Sequence, residues 1–355
     1  KGRKNYLCKT RFNWLVSDSR TLDPIDLEAL IPIIFWLYWT KTGDLGECAG
    51  FFNSRRNWLK SAICSDTGYC TGEICSRNDG CYYGKLKRSL FQAQVIVVNH
   101  SLLMTDISQK GLLPEYSSVV IDEAHNLTKS AYDQFKVEWD EQQVNYQLQT
   151  IDPSFPRSAR WNNIIQSISD VNPDIGHDRD YLKEMVSNAK SCLDKMMKGL
   201  TTENENRFTP ENTYQDQPIF GNIDKVHGPI QNEIKEMKSA LEQVLSAVTR
   251  IQKIVLEMDN KRTEYPILHS ALDRGLDTVS GLIDSLVTLT ENQDPEWVYW
   301  IEGYRRGSNG NDSLILSLHA SMIDVSDALK KSFFDKISRC LSLIHISEPT
   351  RPVLI

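Results

Sequence analysis

The sequence predicts an α/β domain interrupted by two insertions, the first rich in cysteine and the second helical. Three observations lead there. Two short β-branched runs, 94–98 (QVIVV) and 117–122 (SSVVID), have the composition of buried strands. Cys8, Cys70, Cys75 and Cys81 precede the second run, in a segment rich in Gly, Trp and Tyr that lacks long-range periodicity. Beyond Thr128 the apolar residues recur at steps of three and four, the period of helices that bury one face.

The chain has 355 residues, enough for two or three domains with cores of their own. Its formal charge of −7 excludes a uniformly basic nucleic-acid coat. The charge is uneven, however. Residues 1–90 carry 14 Lys and Arg against 9 Asp and Glu, and the remainder holds a net −12. A locally basic first third is compatible with a phosphate-backbone footprint, and ordinary charge fluctuation is the plain alternative. No apolar run is long enough to span a bilayer, and Lys1-Gly2-Arg3-Lys4 does not open a signal peptide. Eight cysteines without a secretory signal fit a reducing compartment and metal ligation, so a cytoplasmic location without membrane association is expected.

Taken in order, residues 1–90 form a segment whose thin core calls for a metal. Within it the apolar run 31–39 (IPIIFWLYW) reads as a buried helix. The runs 94–98 and 117–122, with a helix between them, predict a parallel sheet with helices on both faces. Three helical stripes follow. The first joins Leu182, Met185, Ala189, Leu193, Met196 and Leu200. The second joins Ile230, Ile234, Met237, Leu241, Val244, Val248, Ile251, Val255 and Met258. The third joins Leu268, Leu272, Leu276, Val279, Ile283 and Leu286. The last two, joined by a short polar turn, are expected to pack antiparallel. Residues 201–229 are polar and read as a loop. Past Asp294-Pro295, strands at 297–301 and 314–318 and a helix at 325–334 are read as a return to the α/β domain.

The cysteine spacing Cys70-x4-Cys75-x5-Cys81 lacks the paired C-x2-C knuckles that zinc sites favour. Iron–sulfur ligation tolerates wider steps and a distant fourth thiolate, for which Cys8 is the candidate and Cys48 and Cys64 compete. Gly68, Gly72 and Gly80 allow a tight wrap. An iron–sulfur cluster, a zinc ion and no metal all stay open on spacing alone. Cys192 and Cys340 read as free buried thiols.

The second run ends in Asp122-Glu123-Ala124-His125. A strand that delivers Asp-Glu at its C-terminal end is the way P-loop NTPases present metal and water ligands. In that reading Asp122 holds Mg²⁺, Glu123 is the general base, and His125 links the nucleotide site to the surface that binds a strand. An acidic helix N-terminus is the simple alternative.

Several segments together resemble one family, the DinG/XPD-type iron–sulfur superfamily 2 DNA helicases. They are KGRKNYLC at 1–8, WTKTGD at 39–44, CTGEIC at 70–75 with Cys81, VVNHSLL at 97–103, and VIDEAHNL at 120–127. LSLHAS at 316–321 with Val325-Ser326 is similar to the stretch before the family's Ser-Ala-Thr motif. The resemblance implies an incomplete P-loop NTPase (RecA-like) motor domain. Residues 1–8 would end its first segment and 8–90 would form an iron–sulfur domain. Residues 91–130 would resume the motor with the DEAH box, 131–293 would form a mainly helical Arch insertion, and 294–340 would return to the motor. The tail at 341–355 reads as translated sequencing adapter and is set apart. The implied ligands of a 4Fe-4S cluster are Cys8, Cys70, Cys75 and Cys81. The implied activity is ATP- and Mg²⁺-dependent 5′→3′ translocation on single-stranded, forked or displaced-strand DNA by a monomer. The family's phosphate loop and second motor domain lie outside these residues, so the chain reads as a fragment, inactive by itself. For DNA contact the best basic–aromatic group is Lys85, Lys87 and Arg88 beside Tyr82 and Tyr83, with Arg11 and Lys9 beside Cys8 second and a solvated charged face with packed tyrosines as the alternative. A metal-stapled DNA-binding scaffold and a helicase-related nuclease are the competing functions.

Overall fold

The computed structural model describes residues 2–17, 22–54, 56–65, 80–109, 112–154, 173–205, 208, 217–220, 228–257, 265–291, 294–306 and 313–343. They form a mixed α/β structure with a helical majority and two small sheets. Three apolar clusters organise it.

In the N-terminal unit, α1 (Lys9–Ser17), α2 (Pro24–Trp36), α3 (Ala49–Phe52), α4 (Asn57–Ile63) and α5 (Tyr82–Gln92) enclose Leu7, Leu30, Ile33, Leu45, Leu59 and Ile63. A capping box fixes the start of α2. The Asp26 N–H donates to Asp23 at 2.6 Å, the Asp26 carboxylate accepts from the Asp23 N–H, and Pro24 follows the cap. The buried helix expected at 31–39 is half right. The helix ends at Trp36, and although Ile33 is buried, Ile31, Ile34 and Phe35 are exposed. A run that is apolar all round can press only one stripe against so small a core.

The second cluster is α/β. Strand β1 (Ser118–Asp122) pairs in parallel with β6 (Arg339–Leu343), Ser118 opposite Arg339 and Asp122 opposite Leu343. Helices α6 (His100–Gln109), α7 (His125–Phe135) and α12 (Ser326–Ser332) pack Met104, Ala131 and Leu329 around Ile121. The strand expected at 94–98 does not form. Val95 and Val97 are 80% and 92% exposed, and only Val98 touches the cluster, because no described strand lies alongside to pair with the segment. Cys340, expected to be buried, is exposed on β6. The tail set apart from 341 overlaps that strand, and residues 344–355 lie outside the described ones.

The third and largest cluster belongs to the insertion. Helices α8 (Glu141–Ile151), α9 (Pro173–Asn204), α10 (Gln231–Glu257) and α11 (Tyr265–Thr290) pack on a four-stranded antiparallel sheet. That sheet has β2 (Val137–Asp140), β5 (Ser313–Met322), β4 (Trp297–Arg306) and β3 (Gln217–Phe220) in that spatial order. The long helices are antiparallel neighbours, as expected for the last two. Lys238 meets Glu291 at 2.6 Å while Gln252 meets Asp273, and on the other side Arg250 reaches Asp178 at 2.5 Å. Within the described residues the three stripes lie on the buried faces, with Leu193, Leu241 and Leu286 fully inside, while the side chains of Met258 and Leu268 lie outside those described.

Three expectations are corrected in this region. β4 and β5 send Tyr299, Ile301, Leu316 and Leu318 into the insertion's own core, so the chain re-enters the α/β cluster at Val325 rather than at 294. The loop read at 201–229 contains β3, and Phe208 is buried against Gly303, where a Cβ would lie 2.8 Å from its ring. Strand β2 interrupts what read as continuous helix after Thr128.

Candidate nucleotide and cysteine sites

β1 is the one described strand that enters the α/β cluster from its N-terminal side, and it ends at Asp122. The chain then turns within two residues into α7, whose first residue is His125. Asn126 and Leu127 donate their N–H groups to the carbonyls of Glu123 and Ala124 at 2.8 and 3.0 Å, which closes the turn. Glu123 has φ of 50°, the left-handed region, alone among the described non-glycine residues. That conformation costs on the order of 1–3 kcal/mol and concentrates at functional sites. Its carboxylate lies 3.2 Å from Nδ1 of His125, and His125 is well exposed. Asp122 and Glu123 both stand at the N-terminus of α7, where the macrodipole favours negative charge. The turn thus carries an exposed Asp122 at the strand end and, two residues apart, a strained Glu123 in contact with an exposed His125. These are residue types able to hold a divalent cation and to accept a proton from water.

The cysteines divide. Cys8 accepts the Phe12 N–H through its carbonyl at 2.9 Å and so caps α1, while the Sγ of Cys81 accepts the Gly84 N–H at 3.3 Å and caps α5. Both therefore sit where a helix favours the negative charge that a thiolate ligand carries. Their neighbours meet. Gly80 has φ of 90°, and a Cβ there would lie 3.1 Å from the Lys9 ammonium. Ser65, at the other end of the Cys70–Cys75 segment, donates its N–H to Tyr6 at 2.7 Å. Both ends of that segment thus return to Cys8, although Cys70 and Cys75 lie outside the described residues. Cys64 is turned inward, with Sγ directed to the Ser61 carbonyl at 3.6 Å, and Cys48 is in the apolar core. The donor set thus fits a thiolate-ligated group as far as it is described. No group of three metal-ligating side chains occurs among the described residues.

The basic–aromatic group is only partly accessible. Lys85 and Arg88 are exposed, share a face of α5 with Cys81, and Lys87 is half-buried beside them. Tyr82 is not available for stacking. Its ring is buried on Gly43, which has φ of 70° and where a Cβ would overlap the ring at 2.1 Å, and Lys9 covers its other side at 4.8 Å. Burial raises its phenol pKa above the usual range. Arg11 is likewise buried, donating to the carbonyls of Cys64 at 2.5 Å and Ser61 at 2.7 Å, so it ties α1 to α4. The expectation that Arg11 and Tyr82 meet DNA is corrected, because the small core recruits both. Tyr83, the second ring of that group, lies under Arg3 at 4.8 Å and is less buried than Tyr82.

Residues 66–144, which run from the cysteine segment through the Asp-Glu-Ala-His turn, match the DEAD_2 family model. Part of the chain is also similar to proteins named YoaA and DinG. It is 30% identical over 140 residues to the ATP-dependent DNA helicase YoaA of Haemophilus influenzae, covering 38% of this chain and 22% of that protein. The same identity and shares hold for the ATP-dependent DNA helicase YoaA of Escherichia coli. The 3′-5′ exonuclease DinG of Bacillus subtilis is 30% identical over 133 residues, 37% of this chain and 14% of that protein. The chain thus spans about a fifth or less of the length of these curated relatives. The part that matches the family model contains the turn, both cysteine-bearing ends of α5's approach and the exposed base of α5. No helix among the described residues is long and apolar enough to cross a membrane.

Proposed function

We propose that the protein containing this chain is an ATP-dependent DNA helicase that moves 5′→3′ on single-stranded DNA and opens forked or displaced-strand substrates. The observation that carries the reading is the strand-to-helix turn, with Asp122 at the end of β1 and a strained Glu123 beside His125. In this reading Asp122 holds Mg²⁺, Glu123 orients and deprotonates the attacking water, and His125 connects that site to the DNA surface. A bound Mg²⁺ supplies charge neutralisation at the phosphates. Cys8, Cys70, Cys75 and Cys81 are proposed to hold a 4Fe-4S cluster that staples a unit whose own apolar core is small. Residues 8–90 are then the cluster domain, and the helical insertion is the Arch. Lys85 and Arg88 on α5 would meet phosphates of the passing strand.

The names of the YoaA relatives favour a helicase. The nuclease reading draws on the name of the Bacillus relative. Unwinding of a 5′-tailed duplex by the full-length protein, with ATP and with a non-hydrolysable analogue, tests the proposal. ATP-dependent strand separation without shortening of either strand is expected. Strand shortening without separation favours the nuclease instead.

A further inference from the structure

We propose that helix α7 connects the Glu123–His125 turn to the insertion's sheet through a partly buried polar hub, with Lys136 as a positioning residue for DNA-dependent ATP hydrolysis. The proposal rests on the function given above.

Side chains alternate along a strand, so residues beside those that enter the core take the other face. On β4 Tyr299 and Ile301 enter the core, which leaves Trp300 and Glu302 opposite. On β5 Leu316, Leu318 and Ala320 enter, which leaves Ser317, His319 and Ser321 opposite. The register puts Trp300 against His319 and Glu302 against Ser317. A sheet face turned to water would leave these polar groups wet. Instead His319 is 1% exposed and Ser321 8%.

The cover is the end of α7, which packs on β5. The helix stops at Lys136, whose Nζ lies 3.6 Å from Glu302 and 5.3 Å from the Trp300 ring centroid. The Glu302 carboxylate also accepts the Trp300 indole N–H at 2.8 Å and faces His319 Nε2 at 3.4 Å. Ser317 Oγ lies 2.8 Å from that same nitrogen, and the imidazole stacks on Trp300 at 5.2 Å. Burial first, and then the Lys136 charge, lower the His319 pKa to about 4 against the pull of Glu302 and Asp140, so the ring is neutral at physiological pH. Lys136 is then the cation in contact with Glu302. One carboxylate gathers groups from α7, β4 and β5.

The other end of α7 is His125, in contact with Glu123. The helix sequence, HNLTKSAYDQF, has no Gly or Pro to absorb bending, and at 1.5 Å per residue it spans about 16 Å. The chain enters the insertion at 136–137 and leaves it at 322–325, and the Tyr132 hydroxyl donates to the Ile323 carbonyl at 2.7 Å, joining the two crossings. A displacement of the Glu123 turn is therefore delivered to the hub rather than dissipated, and a displacement of the insertion's sheet acts back along the same rod.

The test uses the full-length protein, its steady-state ATP hydrolysis measured with and without oligo-dT. With Lys136→Met or Glu302→Gln the basal rate stays as in the wild type, while DNA stimulation of kcat falls by about 5- to 150-fold at unchanged KM for ATP. The double variant is no worse than either single one, since both break one link. Lys136→Arg retains stimulation. Should Lys136→Met fail to fold, Tyr132→Phe, which removes one hydroxyl, gives the same loss on a smaller scale. A lowered melting temperature with unchanged stimulation makes the hub a mere staple and overturns the proposal, as does an equal fall of basal and stimulated rates. A wild-type protein without ATPase activity instead defeats the proposed function.

Discussion

The helical insertion and the N-terminal cysteine unit have separate apolar cores, and they are held together by different means. The insertion buries continuous stripes from three long helices and one face of a sheet, and its core extends from Trp139 to Ala320. The N-terminal unit has short helices and a small core, and α2 with the turn after it leaves Ile31, Ile34, Phe35, Tyr38 and Trp39 in water. It relies on single contacts: Arg11 on two carbonyls, Tyr82 on a bare glycine, and two cysteines at helix caps. A region stabilised by many interchangeable apolar contacts loses stability gradually on substitution. One held by a few specific contacts loses it abruptly.

The sharpest separation comes from the proposed cluster ligands. Cys81→Ala in the full-length protein is expected to abolish broad visible absorption and to open the N-terminal unit to protease, while fragments spanning α9 to α11 stay resistant. Equal protection of both regions would remove the contrast. Next in size, Leu241→Ala in α10 should lower the insertion's stability by about 2–5 kcal/mol in urea titration, with the visible absorption intact. Gly43→Ala forces a Cβ into the Tyr82 ring at a left-handed backbone position, and about 1–3 kcal/mol should be lost from the N-terminal unit alone.

The smallest effect per step is a pH dependence confined to the insertion. His319 has a folded pKa of about 4, below its ordinary 6.5, because burial disfavours its charged form. As pH falls from 6.5 towards 4 the unfolded chain takes up a proton that the folded one does not. Stability then falls by about 1.4 kcal/mol per pH unit. His319→Gln should flatten the melting temperature of the insertion across that window, whereas an unchanged slope would place the titration elsewhere.

What the sequence revealed follows the same division. The stripes through Leu193, Leu241 and Leu286 repeat over many turns, so their periodicity was readable and each became a buried face. β1 was readable because its β-branched run ends abruptly in Asp-Glu. By contrast, 94–98 has a strand's composition without a strand beside it, and pairing is a tertiary fact that composition does not carry. β4 and β5 were recognised as strands, but nothing local says which sheet they join; the register with β2 and β3 decides it. At the site, Asp122, Glu123 and His125 were found by motif. The inward turns of Arg11 and Tyr82 depend on Ser61, Cys64 and Gly43, which lie far away in sequence. The hub was missed altogether, although the alternation Trp300, Glu302 and Ser317, His319 marks one polar face on two strands.

The proposed motor function stands or falls on the carboxylate in the strained turn. The most direct measurement is the single-stranded-DNA-stimulated ATP hydrolysis of the full-length protein beside its Glu123→Gln variant. Stimulated hydrolysis by the wild type, with at least a hundredfold loss in the variant while nucleotide still binds, is the predicted result, since general-base catalysis contributes about 10²–10⁴-fold. No hydrolysis by the wild type, or equal rates for both proteins, would contradict it.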